Sequence, residues 1–197
     1  MNQRGAGFCK AISHRFCGRF LIIPCRAWPR LGHGGEMKQT AVDPWRMGEN
    51  LMAMILATIP AGATVLELGS GAGTETMAQH YNVFSIEHDL AWLGKYESNY
   101  IYTPYVSGWY CARMLHGRLP ATYEALIIDG PPGDRFPMAR YLDLFDLTAA
   151  IFIDDINRHD TWLLAQVIAT QAGRPLQEFT EDDGRRFGYI PAFVGET

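Results

Sequence analysis

The chain predicts an α/β protein built on a doubly wound sheet of seven strands, and three observations carry that expectation. From residue 63 onward, apolar runs of strand length alternate with stretches of helical periodicity. The residues of those strand candidates are mostly apolar, as in parallel strands covered on both faces. Two late runs flank the turn Glu181-Asp182-Asp183-Gly184, which reads as a closing hairpin and brings the count to seven.

In chain order, Asp43-Pro44 reads as an N-cap followed by proline at the first helical position, opening a helix over 45–58. Its apolar residues Leu51, Met54, Ile55 and Ile59 recur at helical spacing, and Pro60-Ala61-Gly62 ends it. Strands are expected at 63–68, 82–87, 100–106, 124–129 and 149–154. Helices are expected at 73–80, 89–98, 109–116, 136–147 and 158–172, and the hairpin strands at 175–180 and 187–194. There is no internal repeat and no low-complexity segment. A chain of 197 residues with 48% apolar content fits one domain, taken here as 37–197.

Charge is unevenly placed. Of 17 basic and 21 acidic residues, residues 1–36 hold six basic and one acidic, so the remainder carries a net −9. A body that acidic repels a phosphate backbone, which argues against a nucleic-acid partner. No apolar run is long enough to span a membrane. Three of four cysteines (Cys9, Cys17, Cys25) lie in the tail and only Cys111 in the body, with no CxxC or Cys/His cluster, so the body reads as cytoplasmic. The basic tail 1–36 admits three readings: a transit-type presequence, a disordered basic arm, or an upstream extension of a protein that starts at Met37. Gly34-Gly35-Glu36 implies a purine-rich run of codons just before that methionine.

The functional signal begins with Val65-Leu66-Glu67-Leu68-Gly69-Ser70-Gly71-Ala72-Gly73-Thr74. An apolar strand runs into glycines at alternate positions and then into a helix, so no Cβ obstructs a ligand lying across the turn. Glu87 ends the next strand, where a carboxylate can accept hydrogen bonds from two ribose hydroxyls. A dinucleotide fingerprint needs glycine at the sixth position from Gly69, and Thr74 stands there. The pattern E-x-G-x-G-x-G instead resembles motif I of class I S-adenosylmethionine methyltransferases. That resemblance implies a Rossmann-like sheet, mostly parallel with an antiparallel last strand. It also implies S-adenosylmethionine as cofactor, contacted by Glu67, Gly69, Ser70, Gly71 and Gly73 at the methionine end, Glu87 and His88 at the ribose, and Asp129 beside them.

Three strand ends on that rim carry a carboxylate: Glu87, then Asp129 before Gly130-Pro131-Pro132-Gly133, then Asp154-Asp155 before Ile156-Asn157. Three aspartates from two neighbouring strand ends form an oxygen donor set suited to a hard divalent cation, which lowers the pKa of a coordinated hydroxyl. Asp129 and the Asp154-Asp155 pair resemble the metal site of cation-dependent catechol, caffeoyl-coenzyme A and macrolide sugar O-methyltransferases. Over 82–172 the chain is similar to the glucuronoxylan 4-O-methyltransferase family, through Phe84-Ser85-Ile86-Glu87-His88-Asp89, Ile128-Asp129-Gly130-Pro131 and Phe152-Ile153-Asp154-Asp155-Ile156-Asn157-Arg158. These likenesses imply a saccharide or other small hydroxyl acceptor, with magnesium, manganese or cobalt at Asp129, Asp154 and Asp155.

The chain also departs from those families. Position 132 is proline where the catechol-type enzymes place a lysine base, and 100–109 lacks the acidic residue that often holds adenine. His159, one turn past the acidic pair, is the substitute base candidate beside Asp129. Tyr100, Tyr102, Tyr105, Trp109 and Tyr110 are candidates to stack on adenine or a sugar, or simply core. Asp129 could merely cap its turn, and Asp154-Asp155 could be a solvated strand end. Two other functions stay open: a nicotinamide-dependent oxidoreductase, and a non-catalytic binding module.

If the tail stands apart from the domain, a chain shortened to begin at Met37 melts at the same temperature as the full chain. A fall of several degrees in calorimetry would show that the tail packs on the core.

Overall fold

The structure, a computed structural model, describes residues 46–195. The basic tail and the expected helix start at Asp43-Pro44 lie outside the described residues. Helix α1 (Glu49–Thr58) precedes strand β1 (Thr64–Leu68), helix α2 (Ala72–Ala78) and strand β2 (Asn82–Glu87). Strand β3 (Asn99–Tyr102) follows, then a short hairpin of β4 (Tyr105–Val106) and β5 (Trp109–Tyr110). Strands β6 (Ala125–Ile128) and β7 (Ala150–Ile153), helix α3 (His159–Ala172) and strands β8 (Gln177–Thr180) and β9 (Arg186–Ile190) complete the chain.

The seven-stranded sheet has the order β3-β2-β1-β6-β7-β9-β8. Strands β3, β2, β1, β6 and β7 pair in parallel, whereas β9 runs antiparallel to both β7 and β8. The seven strands, the Rossmann-like winding and the antiparallel last strand are as the sequence predicts. Both faces are covered. Leu51 and Ile55 of α1 pack with Val65, Val83, Ile127 and Phe152 on one face. Leu164, Ala165 and Ile168 of α3 pack with Leu66, Leu126, Ile128 and Ile151 on the other. Alternate residues of one strand therefore feed two separate cores, which is why the runs are apolar without alternation.

Several predicted helices do not form. Residues 89–98 are turns: the Asp89 carboxylate accepts the Ala91 N–H at 2.9 Å, and Gly94 adopts φ +72°. Residues 109–116 begin with β5, because Ser107 (φ 53°) and Gly108 (φ 84°) make a two-residue hairpin turn with positive φ at both central positions. The predicted strand 100–106 accordingly divides into β3 and β4. Residues 136–147 form two 3₁₀ turns, Phe136–Arg140 and Leu142–Leu144. Helix α1 starts at Glu49 rather than 45, after Gly48.

Among the described residues no side chain of the segment before α1 caps it. The carboxylate of Glu181, in the turn between β8 and β9, accepts the backbone N–H groups of Asn50 and Leu51, both at 2.8 Å. Glu181 is buried, and a Cβ on Gly48 would fall 2.1 Å from its Oε1. The first helix is thus locked to the closing hairpin through a charge at the positive end of the helix dipole. Glu181→Ala should lower stability by about 1–2 kcal/mol in denaturant titration, and Glu181→Gln by less, because one acceptor oxygen remains.

Candidate active site

The site is set by where the sheet reverses direction. The chain leaves β1 toward β2 on one side, and β6 leads to β7 on the other, so the loops after β1 and β6 part and leave a crevice at their carboxyl ends. Two glycines face each other there. Gly69 has φ +83°, and a Cβ on it would lie 2.9 Å from the Gly130 Cα. A Cβ on Gly130 would lie 2.7 Å from the Gly69 Cα and 2.8 Å from the Tyr110 hydroxyl. Neither position accepts a side chain. Gly130, which interrupts the aspartate–proline succession in the sequence, stands there because the β1 turn presses against it.

Glu67 lies beneath this turn, not in the crevice. Its Oε1 accepts hydrogen bonds from the Thr74 hydroxyl at 2.8 Å and the Ser85 hydroxyl at 2.5 Å, and Thr74 Oγ1 in turn accepts the Gly71 N–H at 3.0 Å. Burial, opposed by those two hydroxyls and reinforced by Asp129 and Glu87, pushes the Glu67 carboxyl up to about 8. Gly71 is buried as the N-cap of α2, and Gly73 packs against Met47. These three residues shape the turn from behind and do not line the cavity, unlike the ligand contacts the sequence predicts for them.

Glu87 ties the turn to the end of β2. Its Oε2 accepts the Ser70 N–H at 3.0 Å and the Ser70 hydroxyl at 3.2 Å. Its Oε1 accepts the backbone N–H groups of His88 at 2.6 Å and Asp89 at 2.8 Å, and the His88 Nδ1 lies 3.0 Å away. Behind His88 stand Tyr105 and Tyr110, with ring centroids at 5.6 and 5.9 Å. Tyr110 is buried, and its hydroxyl has no hydrogen-bond partner among the described residues.

A cavity of ≈ 430 Å³ opens over these groups, a size usual for a small-molecule site. Gly69, Ser70, Glu87, His88, Asp129, Asp154 and Asp155 all line it, together with Asp89, Trp92 and four arginines: Arg46, Arg135, Arg158 and Arg185. His159 does not. It is exposed on α3, its ring stacked on Trp162 at 6.5 Å, so the predicted base faces away from the site. None of the arginines stands out by spacing, which is why sequence reasoning missed them.

Arg135 replaces the expected cation. Its buried guanidinium donates to the backbone carbonyls of Asp129 and Asp154, so it joins the ends of β6 and β7. The same group lies 3.4 Å from the Asp129 carboxylate and 3.5 Å from that of Asp155. Asp154 points its Oδ1 at the Asp155 N–H, 2.8 Å away, and Asp155 holds φ 59°, an uncommon conformation for a residue with a side chain. Among the described residues no three acidic, histidine or cysteine side chains converge as a metal site. The donor set expected for magnesium, manganese or cobalt therefore does not fit this arrangement. Burial raises the carboxyl of Asp129 against the pull of Arg135. Burial first, then Asp129 and Asp155, brings Asp154 to about 7.

No protein-family profile matches the chain, and no curated protein matches it. Solved structures with a similar chain trace include a methyltransferase from Pyrococcus furiosus, with 13% identity and a TM-score of 0.49 over 72% of this chain and 81% of that one. The Mtq2–Trm112 complex of E. cuniculi, described as methylating the eRF1 translation termination factor, gives 13% identity and a TM-score of 0.46 over 72% of this chain and 90% of that one. The B. subtilis M1A22 tRNA methyltransferase TrmK gives 15% and 0.46 over 76% and 68%. At such identities the likeness concerns the fold. The resemblance to glucuronoxylan and catechol O-methyltransferases gains no support from these structures. Among the described residues no helix is long and apolar enough to cross a membrane.

The raised Glu67 carboxyl has a measurable consequence. The folded protein holds this proton up to about pH 8, while the unfolded chain releases it near 4.5, so between those values the folded state binds more protons. Stability from this group is full below the unfolded value and is lost as pH rises through the window. Chemical denaturation from pH 5 to 8 should show that fall, and Glu67→Gln should flatten it.

Proposed function

We propose that this chain is an S-adenosylmethionine-dependent methyltransferase acting on a small hydroxyl acceptor. The observation that carries the reading is the glycine turn at the switch point, with Glu87 at its side, opening on one cavity that Asp129, Asp154 and Asp155 also line. When bound, S-adenosylmethionine supplies a methyl group on a sulfonium, an electrophile that needs only an aligned nucleophile.

The residues divide the work by position. Gly69 and Ser70 present backbone without obstruction, the place for the methionine end. Glu87 holds the ribose: three of its four hydrogen bonds are from backbone N–H groups, and the fourth is from the Ser70 hydroxyl, whose place a ribose hydroxyl would take. His88, which lines the cavity beside Glu87 with Tyr105 and Tyr110 packed behind it, stands on the nucleobase side.

At the end of β7, Asp154 is buried and its carboxyl is raised to about 7, as suits a group that takes a proton from an acceptor hydroxyl. Asp129, kept in place by Arg135, orients that hydroxyl. No divalent ion is required, because Arg135 already offsets the clustered carboxylates.

Calorimetry tests the cofactor half: S-adenosylmethionine binds the wild type, and Glu87→Gln loses about 2 kcal/mol of that affinity. Asp154→Asn should abolish turnover with cofactor affinity unchanged. The wild-type rate should rise with pH through about 7 and persist in excess EDTA. Failure to bind S-adenosylmethionine, or binding of NAD in its place, would sink the reading.

A further inference from the structure

We propose that the acceptor used at this site carries an anionic group, a phosphate or a carboxylate, and that Arg46, Arg158 and Arg185 bind it. The inference rests on the methyltransferase reading for the reaction, though the anion site can be tested without it.

Three parts of the chain deliver these arginines to one cavity: the segment before α1, the N-cap of α3 and the turn before β9. They differ in kind from Arg135. Arg135 is buried and spent on strand-end carbonyls and on Asp129 and Asp155. The other three side chains are 53%, 32% and 35% exposed, at the mouth. Their ion-pair partners among the described residues are Glu49 at 3.0 Å, Asp160 at 3.2 Å and Asp183 at 2.9 Å, and none of these acids lines the cavity. Each rim guanidinium is therefore paired outside the cavity, and of the three only Arg185 also feels the floor, where Asp154 and Asp155 favour its charge and it pulls the Asp129 carboxyl down. All three are steadied from outside. Arg185 gives its Nε to Asp183 and reaches the Arg46 carbonyl with Nη1 at 3.5 Å, while Arg158 also donates to the Gly133 carbonyl. A planar guanidinium held by one edge keeps further donors for a second oxyanion, and several together suit a phosphate or carboxylate.

Floor and rim then read as one complementary surface. The carboxylates of Asp129, Asp154 and Asp155 receive the proton-bearing nucleophile, and the rim holds an acid group elsewhere on the same molecule. Sugar phosphates and hydroxy acids have that form. Neutral saccharides do not.

The test is calorimetry with inorganic phosphate and, separately, malonate, in the presence and absence of S-adenosylhomocysteine. The wild type should bind at least one of them at millimolar concentration or tighter, and the stronger of the two identifies the source. Arg158→Gln/Arg185→Gln should weaken that binding at least tenfold while S-adenosylhomocysteine affinity stays within twofold. Arg46→Gln, on an exposed side chain, should weaken it severalfold and keeps the test decisive if the double variant fails to fold. Anion binding that depends on these arginines in a protein that binds no S-adenosylhomocysteine would uphold the site and reject the methyl donor. No binding of either anion to the wild type, or equal binding to the variants, would overturn the proposal.

Discussion

Everything at the carboxyl end of the sheet depends on the contact between Gly69 and Gly130. The turns after β1 and β6 can approach only because neither carries a Cβ, with hypothetical side-chain atoms falling 2.7–2.9 Å from the opposite backbone. That approach sets the crevice between them, directs Ser70 toward Glu87, and fixes Asp129 at the head of the next loop. A single added methyl at either position would push the two strand ends apart. The positive φ of Gly69 adds a second reason that no other residue serves there.

The second organising feature is how the site tolerates its carboxylates. Five of them line one cavity, an arrangement that repels itself unless something compensates. Compensation comes in three forms. Glu87 is embedded in backbone N–H groups, Arg135 sits against Asp129 and Asp155, and Asp154 titrates close to neutrality. A buried guanidinium is costly to place, and Arg135 is matched by carbonyl and carboxylate oxygens on several sides. The same residue that lies against Asp129 and Asp155 also joins the ends of β6 and β7.

The middle of the sheet was legible in the sequence because β1, β2, β6 and β7 are buried along most of their length, and short runs so rich in apolar residues admit few other readings. The strand ends that line the cavity were legible for a related reason: Glu87, Asp129 and Asp154 are charged residues at the ends of apolar runs. Helices were less so. Residues 89–98 and 109–116 have helix-compatible composition, yet an Asp89 side chain that bonds its own turn and a Ser107-Gly108 hairpin turn redirect them. The arginines of the site were invisible, since each is brought in by a different loop and none keeps a spacing relative to the others. His159 shows the opposite error. It is near the acidic pair in sequence, but the first turn of α3 carries it to the outer surface.

The account turns on one placement: that the cavity between the Gly69 turn and Glu87 seats the cofactor. A crystal structure with S-adenosylhomocysteine tests it most directly. The account predicts ribose hydroxyls within hydrogen-bond distance of the Glu87 carboxylate, the amino-acid end over Gly69 and Ser70, and the sulfur facing Asp129 and Asp154. A ligand bound elsewhere, or a cavity that stays empty at saturating ligand, would contradict it.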